Sequence, residues 1–479
     1  MKITKYLLII LLGTILIAES CRKDPVFNTD PSFRLEFSTD TISFDTIFTS
    51  LGSTTLLLKV HNPSLKDIDI SNIELLNRQF FKINVDGDTM PVLRNVRLRA
   101  KDSMHIFISA MINPDDQNNP FEVLDSIRFS YNNHSDYVIL RAFGQNAEYH
   151  FPNPNDTLIV PNGEDTVRLP YSVADCSVPW TAGKAHIIYG YLVVKSGDKL
   201  VLNAGTHLHF APNSGLIVAE GATLEVAGTI GNEVIFDGMR MDADYRTITG
   251  QWNCIWFLEG SINNKIDWAI IKNGQTGLLI DSIANRFLLS NTIIDNMQSC
   301  GISAQSVDIR GTNLQVSNCG DRLMALNGGN GSFEHCTFAN YYASTPSSYR
   351  KYASILLTKE SRSDFTSCII NGPMSDELEL DVSNGTLGNH SFDYCHIRTR
   401  INASLFEATC VINELPYFTD PLNGNFEINE PDYDDAEQSV VRYRGKSYPT
   451  VDYDLKSRLR LMIRPTIGAY EYQAPDILK

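Results

Sequence analysis

Residues 192–236 read LVVKSGDKLVLNAGTHLHFAPNSGLIVAEGATLEVAGTIGNEVIF, and a short strand pattern repeats within them every eight residues. In each repeat two apolar residues at i and i+2 share one face of a strand, and turns containing glycine separate the repeats. The pairs are Leu192/Val194, Leu200/Leu202, Leu208/Phe210, Leu216/Val218 and Leu224/Val226. Strands this short cannot bury an apolar face alone, so the repeat predicts a solenoid whose coils stack on one another.

Downstream the period lengthens to about three of these units. Two apolar or small residues and an asparagine recur at i, i+2 and i+4, and successive asparagines are 23, 22 and 22 residues apart. They are Asn273, Asn296, Asn318 and Asn340. This spacing predicts a three-sided coil with the asparagines inside it, where a buried amide can bond to its own turn and to the next coil. Later coils are longer, and residues 341–351 have the composition of an inserted loop.

Two quoted segments carry a family resemblance. Residues 251–261 (QWNCIWFLEGS) and 264–274 (NKIDWAIIKNG) resemble the right-handed parallel β-helix of pectin-lyase-like proteins, and more narrowly the β-helical lipoproteins of Bacteroidetes. The tail, with YFTDP at 417–421, DLKSR at 454–458 and IGAYEY at 467–472, resembles the C-terminal segment of choice-of-anchor Q proteins. The resemblance implies a β-helix over residues 186–415, of about ten coils, and a C-terminal cap over residues 416–479.

Residues 32–147 have a different pattern, with nine short alternating strands separated by turn formers. The predicted strands are Arg34–Phe37, Thr41–Phe44, Thr55–His61, Ile68–Leu75, Phe80–Val85, Val92–Arg99, Met104–Met111, Ser126–Tyr131 and Tyr137–Phe143. Their number and length predict an immunoglobulin-like (Ig-like) β-sandwich. The segments at 61–64, 103–107 and 138–144 resemble sandwich modules of the ASPM/SPD-2/Hydin and MSP type, which are spacers and interaction domains.

Residues 148–185 are rich in Pro, Asn and Asp and are predicted to be a linker and N-terminal cap, because the first coil of a solenoid has an open end. The predicted fold class is therefore all-β: an Ig-like β-sandwich followed by a capped right-handed parallel β-helix solenoid.

The N-terminus predicts where the protein is located. Lys2 and Lys5 precede an apolar stretch at 6–18, and Cys21 follows it directly. Residues 18–21 (AESC) resemble the lipobox of a bacterial lipoprotein. This implies a signal peptide over 1–20, a lipid on Cys21, a tether over 21–31 and attachment to the outer membrane, facing either the periplasm or the cell exterior. A plain secretory signal is the alternative.

Composition and charge narrow the classes of partner that the protein could bind. The formal net charge is −16 and the pI is about 5.1, which argues against nucleic acid, because its phosphates require a basic surface. A hydrophobic content of 43% and an aromatic content of 10% are those of a folded protein.

The acidic run at 376–382 (DELELDV) is the first candidate for chemistry. If its apolar residues point inward, Glu377, Glu379 and Asp381 form an outward row of carboxylates. In pectate-lyase-like enzymes such a row holds calcium, and a nearby base removes a proton from the substrate. Lys359 and Arg362, about one coil earlier, are the candidate bases. A solvated acidic face is the alternative.

Two tryptophans are the second candidate. Trp252 and Trp256 have the same parity, so both would face outward if Ile255 and Phe257 face inward. Exposed indoles on a solenoid face can stack on sugar rings. The alternative is that the loop at 239–250 or the sandwich covers them.

Cysteine and histidine supply weaker signals. Cys336, Cys368 and Cys395 recur at one inward position, where either a disulfide between adjacent coils or buried free thiols would fit. His207 and His209 are expected to share an outward face, where they would be surface residues or two ligands of a metal.

Nothing in the sequence matches G-x-S-x-G, a Walker A motif or H-E-x-x-H. The favoured hypothesis is a non-catalytic cell-envelope lipoprotein with a binding or structural role, including glycan recognition on the β-helix face. Its partners would be polysaccharide or other envelope proteins. The alternative is a calcium-dependent polysaccharide lyase or glycoside hydrolase.

Overall fold

A computed structural model describes residues 26–113, 121–162, 165–242, 245–283, 285–342, 350–380, 385–429 and 439–472. The chain divides into two compact units, of which the first ends at Gln145 and the second begins at Asn146. The predicted signal peptide, Cys21 and Asp381 lie outside the described residues.

The first unit is built from nine strands in two sheets. The strands are β1 (Glu36–Phe37), β2 (Thr41–Phe48), β3 (Leu56–His61), β4 (Ile68–Leu75), β5 (Phe81–Val85), β6 (Val92–Leu98), β7 (Ser103–Ala110), β8 (Phe121–Tyr131) and β9 (His134–Gln145). One sheet has the order β1-β3-β7-β5 and the other β2-β9-β8-β4-β6. All pairs are antiparallel except β2 with β9, which are parallel.

The two sheets of the first unit share one apolar core, as the alternation of each strand predicts. On β7, for example, Met104, Ile106 and Ile108 are buried, whereas His105 and Phe107 are exposed. Strands whose period is two place every second side chain in the core. All nine strands predicted from the sequence are present, in the predicted order.

The second unit begins with β10 (Ala147–His150), β11 (Asn153–Asn162) and β12 (Asp165–Val173). Parallel strands then follow one another at short intervals. They are β13 (Ala185–Ile188), β14 (Tyr191–Val194), β15 (Lys199–Asn203), β16 (His207–Phe210), β17 (Gly215–Val218), β18 (Thr223–Ala227), β19 (Val234–Gly238), β20 (Ile255–Phe257), β21 (Lys265–Asp267), β22 (Ala269–Lys272), β23 (Thr276–Ile280), β24 (Phe287–Ser290), β25 (Ile293–Asp295) and β26 (Cys300–Thr312).

The later part of this unit has longer coils. Its strands are β27 (Gln315–Ser317), β28 (Arg322–Glu334), β29 (Thr337–Ala339), β30 (Ile355–Leu357), β31 (Ser361–Thr366), β32 (Ile369–Asn371), β33 (Leu378–Leu380), β34 (His390–Asp393), β35 (His396–Ile397), β36 (Val411–Ile412), β37 (Phe418–Asp420) and β38 (Asn425–Ile428). Short 3-10 helices lie at Ala403–Leu405 and Pro421–Asn423.

Register shows that these strands stack in three columns of parallel strands, which is the arrangement of a three-sided β-helix. The first column has the order β10-β13-β16-β19-β22-β25-β27-β29-β32-β35-β36. The second runs β12-β14-β17-β20-β23, continues through the first halves of β26 and β28, and ends with β30 and β33. The third runs β15-β18-β21-β24, through the second halves of β26 and β28, to β31 and β34. From β13 onward the first column has ten strands, as predicted.

The inside of the coil is packed with aliphatic and aromatic residues from all three columns. Phe333, Phe365 and Phe392 stack on consecutive coils, with ring centroids 4.9 and 5.0 Å apart. That separation is the spacing of adjacent strands in a sheet, so each ring repeats the position of the ring before it. One continuous apolar core results, and no coil could form it alone.

The asparagines found by their spacing lie at corners of the coil. Asn273, Asn296 and Asn318 have positive φ angles, which asparagine tolerates better than most residues. The amide of Asn296 donates to Oδ1 of Asn273 at 2.7 Å, as predicted. Asn318 and Asn340 donate instead to backbone carbonyls, so the amide ladder joins one pair of coils and then ends.

Two segments differ from their predicted roles. Within residues 148–185, predicted to be a linker and cap, β11 and β12 form an antiparallel hairpin whose second strand pairs with β14. The C-terminal segment, predicted to cap the last coil, packs instead along the outward side of the first column. There Gly468 N donates to Ser367 O, and Ala469 N donates to Thr337 Oγ1. Residues 416–479 have no coil period, so their sequence does not indicate which surface they cover.

Candidate functional site

The candidate site is the outward face of the second column, from Trp256 on β20 to Glu379 on β33, here called the open face. Register aligns its residues in one row, since each strand pairs with the next at a single position. The row runs Trp256, Leu279, Ser303, Ala325, Leu356, Glu379. Five steps of about 4.8 Å give this face a length of about 24 Å.

Trp256 lies where parity placed it, outward and half-buried. Its indole Nε1 donates to Asp281 Oδ2 at 2.8 Å, which fixes the ring on the surface. On the side of the earlier coils the ring packs against an outward apolar cluster of Tyr191, Val193 and Ile217. The hairpin of β11 and β12 covers that cluster with Leu158 and Leu169, among others, so the open face begins where the hairpin cover ends.

Trp252 does not lie on this face, and the prediction that it binds ligand is wrong. It is 1% exposed, its ring stacks on Phe210 at 4.5 Å, and its Nε1 donates to Lys272 O. The physical reason is its place in the coil. Trp252 precedes β20 and sits at a corner, where the alternation of side chains within a strand does not apply.

The prediction of an outward carboxylate row is wrong for the same reason. Glu377 precedes β33 and is 0% exposed. Both of its oxygens accept from Arg350 Nη2, at 2.6 and 2.8 Å, and it also accepts from Ser354 Oγ and the Met374 backbone. A Cβ on Gly372 would lie 2.1 Å from Glu377 Oε1, so glycine at this corner makes room for the carboxylate.

Glu379 does face outward, but the structure gives it a different partner from those predicted. Its Oε2 accepts from Arg322 Nη2 at 2.7 Å, and the guanidinium lies 4.7 Å from the centre of the Tyr352 ring. Lys359 pairs with Glu360 at 3.9 Å. Arg362 is on β31 in the third column, on another side of the coil. Neither predicted base is therefore brought to Glu379.

Sequence reasoning missed a polar row on the outward side of the first column. Register aligns His209, Asp237, Lys272, Asp295 and Ser317 on consecutive coils. Lys272 Nζ is 3.2 Å from Asp237 Oδ2, and Ser317 Oγ donates to Asp295 Oδ1. Burial raises the pKa of Asp237, and raises that of Asp295 to about 6. The sequence could have revealed this row, because alternation about the inward residues Ile271 and Ile294 places Lys272 and Asp295 on the outside of the coil.

The Asp295 end of this polar row is covered by the C-terminal segment, whereas the Lys272 side chain is 37% exposed. A Cβ on Gly424, in the C-terminal segment, would lie 3.5 Å from Asp295 Oδ2, and the Asn318 amide donates to Pro421 O in the same segment. The Asp295 end therefore packs against the C-terminal segment and is not open to substrate.

His207 and His209, predicted to be surface residues or ligands of a metal, have structural positions instead. His209 is 3% exposed and lies 3.2 Å from the Gly238 carbonyl through Nδ1, and burial lowers its pKa to about 4. His207 is half-buried, with its ring centre 6.0 Å from that of His209. The pair does not form a shared exposed face, so the metal alternative loses its geometric basis.

The cysteine column continues one coil further than predicted, to Cys410, and its thiols are free. Each sulfur is within hydrogen-bond distance of a carbonyl on the preceding coil. Cys368 Sγ donates to Phe333 O, Cys395 Sγ to Phe365 O and Cys410 Sγ to Phe392 O, at 3.5, 3.4 and 3.2 Å. Buried thiols, the second of the two predicted alternatives, are what the structure contains.

Comparisons with known proteins place this chain in no family. No family model matches it, and no curated protein matches its sequence. Among the described residues, no helix is long and apolar enough to cross a membrane.

Solved structures with some similarity include two glycan-hydrolysing enzymes and a pilin. A family 123 glycoside hydrolase from Clostridium perfringens is 7% identical over 24% of this chain and 27% of its own, with a TM-score of 0.17. The SafA pilin of Salmonella enterica with its SafB chaperone is 14% identical over 29% and 69%, with a TM-score of 0.17. The catalytic unit of a GH87 alpha-1,3-glucanase from Streptomyces thermodiastaticus is 10% identical over 71% and 79%, with a TM-score of 0.20.

The chain spans about a quarter of the length of the first of these structures. TM-scores of 0.17 and 0.20 are too low to transfer a function, so the function is argued from the residues of this chain alone.

Proposed function

We propose that the second unit is a non-catalytic glycan-binding solenoid, and that the open face is its binding surface. The observation that supports this most is Trp256, an outward, half-buried indole that Asp281 holds in place through a hydrogen bond. A fixed aromatic ring can stack on the apolar face of a sugar at little entropic cost.

The far end of the open face supplies polar groups of the kind that bind hydroxyls. Arg322 and Glu379 form an ion pair in which the carboxylate side chain is 53% exposed and the guanidinium 13% exposed. Tyr352 is 38% exposed and lies over Arg322. A face with aromatic rings near both ends, and paired planar polar groups at one of them, suits an extended chain of sugars more than a small compact ligand.

The alternative, a calcium-dependent lyase or a glycoside hydrolase on the acidic run, is less well supported. Among the described residues of that run, Glu377 is fully buried against Arg350, which leaves Glu379 as the exposed carboxylate. Calcium in proteins takes six to eight oxygen ligands. A single exposed carboxylate paired with arginine is a poor start for such a site.

Further proposals concern the handedness of the β-helix, the fold of the first unit and the cellular location of the protein. We infer a right-handed β-helix for the second unit and an Ig-like topology for the sandwich of the first unit, which would act as a spacer or interaction module. Anchoring by lipid on Cys21 in the outer membrane is supported by the basic, apolar and AESC pattern of residues 1–21. Facing the periplasm or the cell exterior, such a protein would meet polysaccharide or other envelope proteins.

Binding to a panel of neutral and uronate-rich polysaccharides, with and without calcium, tests the proposal on a protein of residues 22–479. We expect at least one polysaccharide to bind without being cleaved, and Trp256→Ala to weaken that binding about fivefold or more. Tyr137→Ala is the matched control, since Tyr137 is a 52% exposed aromatic on the first unit.

Three outcomes contradict the proposal. If no polysaccharide of the panel binds, the proposal of glycan recognition is wrong. Binding that is insensitive to Trp256→Ala places recognition elsewhere. New reducing or unsaturated ends that disappear in Glu379→Gln establish the enzymatic alternative.

A further inference from the structure

The first strand of the second unit brings a glutamate and a histidine next to another histidine. Glu148 and His150 are two residues apart on β10, so they share one side of that strand. His186 lies on β13 and is the direct register partner of Glu148. The sequence alone does not reveal this group, because 36 residues and a hairpin separate the two histidines.

The three side chains converge. His150 Nε2 is 3.1 Å from His186 Nδ1, and one ligand atom from each of Glu148, His150 and His186 lies within 4.8 Å of the other two. Two nitrogens each about 2.1 Å from a zinc ion are about 3.4 Å apart at a tetrahedral angle and about 3.0 Å apart at a right angle. The observed separation falls between these values.

The surroundings hold the two imidazoles in place. The Trp180 ring stacks on His186 at 3.8 Å and on His150 at 5.0 Å, and its Nε1 donates to Asp175 O. His186 is 5% exposed, whereas Glu148 is exposed, so the group opens to solvent on the carboxylate side.

We propose that Glu148, His150 and His186 form a site for a divalent transition-metal ion of the zinc type. Two imidazole nitrogens and one carboxylate oxygen provide three ligands, and at least one further position is left for water. Imidazole favours zinc, copper and nickel, whereas calcium and magnesium require oxygen ligands. The ion would join β10, the edge strand of the first column, to β13 of the next coil. It would thereby fasten the first coil at the N-terminal end of the solenoid.

The competing account of the same geometry is a plain hydrogen bond between the two rings, in which one N–H donates to the other nitrogen. The two accounts differ in what a metal titration shows. Calorimetry with Zn²⁺, on the chain produced without a polyhistidine tag, should give one site, and Ca²⁺ should not compete for it. Zn²⁺ should also raise the midpoint of thermal unfolding.

Variants locate the site. Glu148→Gln changes an exposed side chain, so folding should be preserved, and we expect zinc affinity to fall about tenfold or more. His150→Gln should lower it further. The matched controls are Glu259→Gln and His105→Gln, at exposed positions on other surfaces, which should leave zinc affinity unchanged.

Trp180 offers an independent readout because it stacks on both histidines. Bound Ni²⁺ or Co²⁺ should quench part of the tryptophan emission, and Trp180→Phe should remove that part. Absence of a stoichiometric zinc site, or a zinc site that both Glu148→Gln and His150→Gln leave unchanged, would overturn the proposal and leave the hydrogen bond between the rings as the correct account.

Discussion

Arg350 and Glu377 form a two-oxygen ion pair inside the protein, with side chains 3% and 0% exposed. Arg350 also donates to the Asn340 carbonyl and to Ser354 Oγ, so one guanidinium connects three segments of neighbouring coils. Removing one partner of such a pair leaves the other charge buried and uncompensated, which is far more costly than losing a surface pair.

We therefore expect Glu377→Gln to lower the free energy of unfolding by about 3–5 kcal/mol, measured by urea denaturation. Glu379→Gln is the matched control, because the Glu379 side chain is 53% exposed and Arg322 keeps its hydrogen bond to the Ala353 carbonyl, so the loss should be about 1 kcal/mol or less. Gly372→Ala should also be destabilising, since its Cβ would collide with Glu377 Oε1. Equal effects of the two Glu→Gln changes would contradict this account.

The two tryptophans near β20 should differ sharply in their effect on stability. Trp252→Ala removes a buried ring stacked on Phe210 and should cost about 3–5 kcal/mol. Trp256→Ala removes a half-buried ring and should cost clearly less while affecting ligand binding. Chemical denaturation of both variants checks this, and a larger loss for Trp256→Ala would show that the inward and outward assignments are reversed.

The thiols of the folded protein should react slowly with a disulfide reagent. Burial raises the pKa of Cys254 and of Cys300 to about 12 and of Cys176 to about 11, so little thiolate is present at pH 8. Thiol titration before and after unfolding, without reductant, should show the described cysteines reacting only once the chain is unfolded. Fewer thiols than expected after unfolding would reveal a disulfide.

Asp295 should make stability depend on pH in an unusual direction. Burial raises its pKa in the folded protein from the ordinary value of 3.8 to about 6, so the folded state binds a proton more tightly than the unfolded state. Its contribution is fully present below about pH 4 and is lost as the pH rises through about 6.

Replacing Asp295 with Asn removes this titration. The stability of Asp295→Asn relative to the wild type should therefore rise between about pH 4 and pH 6, by about 2–3 kcal/mol in total. Unfolding free energies measured at several pH values check the slope. A difference between the two proteins that does not change with pH would contradict the raised pKa.

His396 should make stability depend on pH in the direction opposite to that of Asp295. Its ring is buried and Nε2 lies 3.1 Å from the Glu414 carbonyl, and burial lowers its pKa to about 4 from 6.5. Its contribution is present above pH 6.5 and is lost as the pH falls toward about 4. In His396→Gln this part of the acid sensitivity should disappear, which unfolding free energies measured at several pH values check; an unchanged acid slope would contradict the lowered pKa.

Strands were the part of the fold that the sequence predicted best. All nine strands of the first unit and the number of coils in the second follow from alternation and period, because a buried face forces one residue in two inward. The site predictions failed where alternation was carried past the end of a strand. Trp252 and Glu377 both precede short strands, and at a corner of the coil the backbone direction changes, so parity no longer fixes the side on which a residue lies.

What the sequence by itself determined is therefore local and periodic: stacked parallel coils, an alternating sandwich, and an outward Trp256 within β20. Tertiary structure decided which outward residues remain open. The hairpin of β11 and β12 covers one apolar cluster, and the C-terminal segment covers Asp295. Likewise His150 and His186 meet only because β10 pairs with β13 in one register. Such contacts join residues far apart in the chain, and no repeat in the sequence encodes them, because they depend on where non-repeating segments find a complementary surface.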